Sequence, residues 1–154
     1  MLVVIAQKEE LKLVEELGYG DYPILITGVG GVNVIRALDH LPRDTEILNI
    51  GYCGSNSVEI GTKVFVDEIH TLHENAQFYE EPKVNVNWNF YKGKYDCYAC
   101  YTSTDFVTKT TIKVSCVFDM ELAFIGSMFN NIAAIKVVSD NLNKKEYDKK
   151  VGEN

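Results

Sequence analysis

No apolar run in this 154-residue chain approaches the roughly 18 residues that a membrane-crossing helix needs. The start, Met1-Leu2-Val3-Val4-Ile5-Ala6, lacks a basic region, and Lys8-Glu9-Glu10 cuts its apolar run short, so no secretory leader is expected. A basic stripe is missing too. The net charge is −7 and the isoelectric point about 4.9, which disfavours binding to a phosphate backbone. The densest basic tract, Lys144, Lys145, Lys149 and Lys150, is interrupted by acids and reads as a solvated helix end. Neither a nucleic-acid nor a membrane partner is expected, and a cytoplasmic location follows as the default. There the four cysteines read as reduced thiols.

Metal-ligand spacing is also scarce. Cys97-x-x-Cys100 lies in an apolar, strand-like run, where residues three apart point to opposite faces, and no second such pair completes a zinc site. His70-x-x-His73 falls at a strand end and a loop. No metal and no cofactor is expected. What is present is a globular composition, 46% hydrophobic, in a length that suits a single domain over residues 1–154 with a core needing no staples.

The order of elements is informative. Leu2–Ala6, Ile24–Thr27 and Glu46–Ile50 read as buried strands, and residues 8–17 and Val32–Leu41 as helices between them. Strands alternating with helices imply right-handed crossovers and a parallel sheet. Gly18 reads as a helix stop, Gly28–Gly31 as a glycine turn, and Gly51–Gly54 as a loop beyond the third strand. Further strands are predicted at Thr62–Ile69, Asp96–Tyr101, Thr111–Phe118 and Ile132–Val138. A buried helix capped by Asp119 is predicted to run to about Asn130. Residues 73–95 read as loop plus irregular strand, and a short charged helix closes the chain.

In open α/β sheets ligands bind beyond the carboxyl ends of the strands. Glu9 and Glu10, Gly28 and Gly30, Gly51–Gly54, Asp119–Glu121, and Ser139–Asp140 all fall there, so three distant carboxylates are expected to meet at one rim. Each has a plainer reading. Glu10 and Glu121 suit the first turn of a helix, Asp119 and Asp140 suit caps, and the glycines suit tight turns. Gly28-x-Gly30 alone is weak evidence for a dinucleotide, and Asn33 stands where the third glycine of that fingerprint would be.

Taken in order, the segments resemble the purine nucleoside phosphorylase and methylthioadenosine/S-adenosylhomocysteine nucleosidase superfamily. The resemblance rests on Ala6-Gln7-Lys8-Glu9-Glu10-Leu11, Thr27-Gly28-Val29-Gly30-Gly31-Val32-Asn33, Asn49-Ile50-Gly51-Tyr52-Cys53-Gly54 and Ile60-Gly61-Thr62-Lys63-Val64. It continues through Ser103-Thr104-Asp105-Phe106-Val107, Asp119-Met120-Glu121 and Lys136-Val137-Val138-Ser139-Asp140, collinear to about residue 141. It implies an α/β fold with a mixed, largely parallel sheet flanked by helices, a phosphorylase/hydrolase-like three-layer sandwich, here truncated. Members of the superfamily are longer, and this chain is expected to lack strands between its first helix and Ile24.

The resemblance also implies roles. Asp140 is the expected general acid at N7 of a purine, and Glu10 holds the attacking water. Glu121 receives the ribose hydroxyls, Met120 packs on the sugar, Phe106 stacks on the base and Val107 meets it through backbone. Ser139, Gly28, Cys53 and Gly54 complete the expected substrate contacts. Phosphorylases of the superfamily commonly carry arginine at the position of Asn49 and serine at that of Tyr52, both serving phosphate. Asn49 and Glu9-Glu10 fit the water-using branch, so hydrolysis is favoured over phosphorolysis. Tyr52 fits neither branch well and is expected near the sugar, and Lys136 stands where nucleosidases often have arginine, keeping charge without the bidentate fork. The expected substrate is a purine nucleoside, with or without a 5′-modification such as that of methylthioadenosine. The expected assembly is a homo-oligomer, a dimer first. A phosphate-dependent phosphorylase, and a non-catalytic nucleoside-binding or structural relative, are the competing readings.

Overall fold

The structure, a computed structural model, describes residues 1–72 and 95–153. The chain runs β1 (Leu2–Ile5), a 3-10 turn (Lys8–Glu10), α1 (Leu11–Glu16), β2 (Ile24–Ile26), α2 (Gly31–Leu38) and β3 (Glu46–Ser55). It continues through β4 (Lys63–Thr71), β5 (Asp96–Thr102), β6 (Val117–Asp119), α3 (Leu122–Met128), β7 (Asn131–Asp140) and α4 (Lys144–Val151). The stretch 73–94, expected as loop plus irregular strand, lies outside the described residues, and with it His73.

Seven strands form one mixed sheet. β2, β1, β3 and β7 run parallel in that spatial order, and β4, β5 and β6 run parallel to one another. The two sets join through antiparallel pairs, β7 with β4 and β6 with β3. Because β3 pairs with both β7 and β6, the strands β3-β7-β4-β5-β6 close on themselves, and β1 and β2 extend from one side. The mixed, largely parallel sheet expected from the sequence is present. Only residues 17–23 separate α1 from β2, so the chain has no strand there.

The sheet divides two apolar cores. Along β7, Ile132, Ala134 and Val138 join one cluster with α2 residues Val34 and Leu38 and α3 residues Leu122 and Ile125. Ala133, Ile135 and Val137 join the other, with α1 residues Leu13 and Val14 and the α4 residue Val151. Side chains of a strand alternate between faces, and here both faces are covered, so β7 reads as an unbroken apolar run interrupted only by Lys136. Cys100 falls in the first cluster and Cys97 packs against the second, on opposite faces as their spacing requires. None of the four cysteines is disulfide-bonded.

Three expectations need correction. Gly51–Gly54 is not a loop: β3 continues to Ser55, paired with β7 as far as Gly54 and with β6 at Gly54 and Ser55. Glycine is used there for close approach. A Cβ on Gly51 would sit 2.5 Å from Glu10 Oε2, and one on Gly54 3.0 Å from Asp140 Oδ2. The strand expected over Thr111–Phe118 shrinks to Val117–Asp119, because the polar, β-branched stretch before it is largely exposed and hydrogen-bonds through the Asn56 side chain instead. The buried helix starts at Leu122 rather than after Asp119. Asp119 ends β6, and its carboxylate still accepts from the N–H groups of Glu121 at 3.3 Å and Leu122 at 2.8 Å.

Gly51→Ala is expected to cost about 1–3 kcal/mol, because the new methyl group displaces the Glu10 carboxylate from its backbone donors. In a double-mutant cycle by urea denaturation, most of that cost should vanish in a Glu10→Ala background. An undiminished cost there would show that Glu10 is not what the methyl group meets.

Candidate functional site

One cleft gathers the ends of β1, β3, β6 and β7. It is lined by Ala6, Gln7 and Glu10 after β1, by Tyr52, Cys53 and Gly54 of β3, and by Ser139 and Asp140 of β7. Phe118 to Glu121 line it from the β6–α3 junction, Asp105 to Val107 from the segment after β5, Val29 from the glycine turn and Tyr147 from α4. Its empty space, mouth included, is about 540 Å³.

Glu10 is buried at the start of α1. Its Oε1 accepts from the N–H groups of Ala6 at 2.9 Å and Gln7 at 3.2 Å, and its Oε2 from that of Tyr52 at 2.7 Å. The turn after β1 thus folds its acid back onto its own backbone and pins it to β3. Burial pushes the Glu10 carboxyl above the usual carboxylate range, against the Lys136 charge and the three N–H donors, which pull it down.

Asp140, fully buried, ends β7. Ser139 Oγ donates to its Oδ1 at 2.7 Å, and the N–H groups of Leu142 and Asn143 donate to its Oδ2 at 3.0 and 3.3 Å. Those bonds favour the charged form, but burial outweighs them and the carboxyl is raised. The same turn leads into α4, whose first turn is capped by Asn143 Oδ1 accepting from Glu146 N–H at 3.1 Å.

Glu121 precedes α3, and its Oε2 accepts from Gly30 N–H at 2.8 Å. Gly30 holds φ at +90°, the left-handed region glycine tolerates, which turns that N–H toward the carboxylate. Burial first, then the Asp119 charge, raise Glu121 to about 7. Asp119 goes the other way. Burial opposes its charge, but Lys136 Nζ at 3.1 Å from Oδ2, Thr102 Oγ1 at 2.6 Å from Oδ1 and the Leu122 N–H hold it below the usual range. For Lys136, burial is outweighed by Asp119 and its acidic neighbours, which keep the ammonium charged well above the ordinary lysine range.

The structure therefore brings together Asp140, Glu10, Glu121, Met120, Phe106, Val107, Ser139, Cys53 and Gly54 around one cleft. Gly28 is not in its wall. Its N–H donates to Ala6 O at 2.9 Å with φ at +91°, and the adjacent Val29 lines the cleft instead. Tyr52 is shared between the cleft and the core. It meets the cleft, but its side chain belongs to the apolar cluster of Leu13, Val14 and Val151, with Lys12 Nζ 5.9 Å from its ring centre. Asn49 is buried in β3 with Nδ2 donating to Val4 O at 3.0 Å, away from the cleft wall.

Tyr147 and Gln7 were not foreseen. Gln7 Nε2 donates to Tyr147 Oη at 2.6 Å, the Phe106 and Tyr147 rings meet edge to face at 5.3 Å, and Lys144 Nζ lies over both rings. The sequence signal was one aromatic in an otherwise charged helix, three residues after a lysine. Among the described residues no group of three or more His, Cys, Asp or Glu side chains is arranged to hold a metal ion, and no helix is long and apolar enough to cross a membrane.

No protein-family profile and no curated protein sequence matches the chain. Solved structures do. The S-adenosylhomocysteine nucleosidase from Streptococcus pyogenes, in complex with 5-methylthiotubericidin, superposes with a TM-score of 0.76 at 16% identity, over 97% of this chain and 88% of that one. The 5′-methylthioadenosine/S-adenosylhomocysteine nucleosidase from Neisseria meningitidis, in complex with methylthio-immucillin-A, gives 0.74 at 17% identity, over 97% and 91%. Futalosine hydrolase of Helicobacter pylori gives 0.72 at 13% identity, over 97% and 89%. At these identities the likeness establishes a shared fold.

The raised Glu121 has a measurable consequence. It titrates near 4.5 in the unfolded chain and near 7 in the fold, so between those values the folded form holds a proton the unfolded form has lost. The stability contributed is complete below 4.5 and falls as pH rises through 7, by at most about 1.4 kcal/mol per pH unit. Glu10 and Asp140, also raised, act in the same direction. Thermal melts should show a lower Tm at pH 8 than at pH 5.5, and Glu121→Gln should flatten the slope. A Tm that rises across that window would contradict the assignment.

Proposed function

We propose that this chain, which has the fold of the nucleoside phosphorylase and nucleosidase superfamily, hydrolyses the N-glycosidic bond of a purine nucleoside. The observation that carries the proposal is the charge of the cleft. Among its described lining residues are five carboxylates, Glu10, Asp105, Asp119, Glu121 and Asp140, and no arginine or lysine. Departure of a base leaves positive charge on the ribose, in an oxocarbenium-like state that such a wall stabilises. Inorganic phosphate, a dianion, would meet mainly acids there: Lys136 behind the wall is paired with Asp119, and Lys144 at the rim lies over the Phe106 and Tyr147 rings. The positions where the resemblance led one to look for phosphate ligands hold Asn49, bonded to β1, and Tyr52, its side chain packed in the apolar cluster under α1.

In this reading Asp140 is the general acid. Burial raises its carboxyl and so favours the protonated form, and the Ser139 hydroxyl and the turn N–H groups stabilise the carboxylate once the proton has gone to N7 of the leaving purine. Glu10 orients the water that attacks the anomeric carbon. Glu121 takes the ribose hydroxyls, Met120 packs on the sugar, Phe106 stacks on the base and Val107 meets it through backbone. The nucleosidase and hydrolase names of the structural neighbours support this class of reaction. Four cysteines without disulfides fit a reducing compartment such as the cytoplasm.

The assembly is proposed to be a dimer. Val29, which lines the cleft, is 42% exposed, and it continues into an exposed apolar stripe on α2, Val32 at 71% and Ile35 at 46%. A second copy covering that stripe would also close the cleft beside Val29. Light scattering at micromolar concentration should give twice the chain mass; a monomer would remove this part of the proposal.

Base release from purine nucleosides, methylthioadenosine among them, is expected without phosphate and should fall at least about 100-fold in Asp140→Asn. Turnover strictly dependent on phosphate would make the protein a phosphorylase. Binding without release, unchanged in Asp140→Asn, would make it a non-catalytic nucleoside-binding relative.

A further inference from the structure

Lys136 is the single cation among the buried polar side chains of the described residues, with 1% of its surface exposed. It interrupts the most apolar strand of the fold, where an ammonium ion is costly unless paired. Its Nζ reaches Asp119 Oδ2 at 3.1 Å. It also lies 3.4 Å from the point a Cβ on Gly51 would occupy, and Glu10 Oε2 lies 2.5 Å from the same point, so lysine and glutamate approach each other over a bare glycine.

Asp119 is fully engaged. Besides Lys136 it accepts from Thr102 Oγ1, Cys100 Sγ and the N–H groups of Glu121 and Leu122. Thr102 Oγ1 in turn accepts from Ala123 N–H at 3.0 Å. Three successive N–H groups at the head of α3 are therefore held by one chain of contacts that ends on Lys136. Such an aspartate has no acceptor capacity left for a substrate. What it can do is set where the next carboxylate, Glu121, stands.

We propose that Lys136 is the positioning residue of this site: through its ion pair with Asp119 it fixes the head of α3 and the Glu121 carboxylate, and from its other side its charge acts on Glu10, which three backbone N–H groups hold nearby. What those two carboxylates then do rests on the nucleosidase reading above. The groups facing the ammonium come from every element around it: Glu10 from the turn after β1, Cys53 from β3, Cys100 from β5, Asp119 from β6 and Glu121 from the head of α3. Their charges, apart from that of Lys136, are all negative or neutral. Removing the ammonium leaves three carboxylates sharing one dry volume, and protons must replace the lost charge.

The test is a carboxyl-carbon NMR titration of Glu10 and Glu121 in the wild type, Lys136→Met and Lys136→Arg. Both midpoints should rise by about one pH unit or more in Lys136→Met and return toward wild type in Lys136→Arg. The acid limb of kcat/KM for base release should move up with them. A folded Lys136→Met with unmoved midpoints would overturn the proposal, since a merely space-filling lysine has no reason to shift them. If that variant does not fold, the pair is removed together as Lys136→Met with Asp119→Asn. Glu121 then loses an attraction and a repulsion at once, whereas Glu10 should still rise, and an unmoved Glu10 overturns the proposal. The titration needs no turnover: a wild type inactive on every nucleoside defeats the nucleosidase reading alone, and the midpoints still decide the role of Lys136.

Discussion

The pairing of β3 with β7 is the constraint on which the site depends. The two strands run parallel in unbroken register from Glu46–Asn131 to Cys53–Val138, and then slip by one residue so that Gly54 meets Asp140. That register sets Gly51 beside Lys136, and the slip sets Gly54 beside Asp140. Gly51 leaves the space that Glu10 fills next to Lys136, and Gly54 leaves the space that Asp140 fills. A register shift of one residue would turn Lys136 into the apolar layer under α1 and α4, where no carboxylate waits for it. The glycines of β3 are therefore matched to buried carboxylates, Glu10 and Asp140, rather than to a turn.

Around that seam the charge balance is deliberately uneven. One lysine stands against Asp119, Glu10 and Glu121, and Asp140 stands beyond it with only hydroxyl and N–H partners. A buried ion pair alone adds little stability, because desolvation offsets most of the Coulomb gain. Excess buried acid is worse still, and burial answers it by raising Glu10, Glu121 and Asp140 toward their protonated forms. The result is a cleft whose acids differ in state: Asp119 ionised, Glu121 near the midpoint of its titration at neutral pH, Glu10 and Asp140 shifted toward the protonated form. Acid and base chemistry in one small volume requires such a spread, and here burial and a single cation create it.

Much of this was legible before any coordinates. The apolar runs at Leu2–Ala6 and Ile132–Val138 and the glycine turn before α2 marked parallel strands and a crossover, and the carboxyl-end rule pointed to Glu10, Glu121 and Asp140. The misses have physical causes. Glycine ordinarily signals a turn, and nothing in Gly51-Tyr52-Cys53-Gly54 reveals that an acid forty residues away needs the space, so β3 seemed to end early. The strand before Asp119 was drawn too long because its alternating β-branched residues carry strand propensity that the fold does not use. Tyr147 was hidden in a charged helix, since a single inward aromatic leaves no periodic mark. A loop has no alternation, so the face of Tyr52 is not legible in the sequence; once β3 is extended, Tyr52 must point with Leu48 and Ile50.

The compactness of the chain follows from the same geometry. The groups in the cleft come from the ends of β1, β3, β6 and β7 and from the segments that follow β2 and β5, and α4 reaches it because the turn that carries it is hydrogen-bonded to Asp140. The connection between α1 and β2 contributes nothing to the wall. Shortening that connection thins the periphery of the sheet without touching the seam where glycine faces charge. A site assembled from strand ends is insensitive to what hangs on the outer edge, whereas one assembled from long peripheral loops would not survive their loss. The exposed apolar stripe on α2 lies beside the cleft at Val29, on that outer side of the fold and away from the seam.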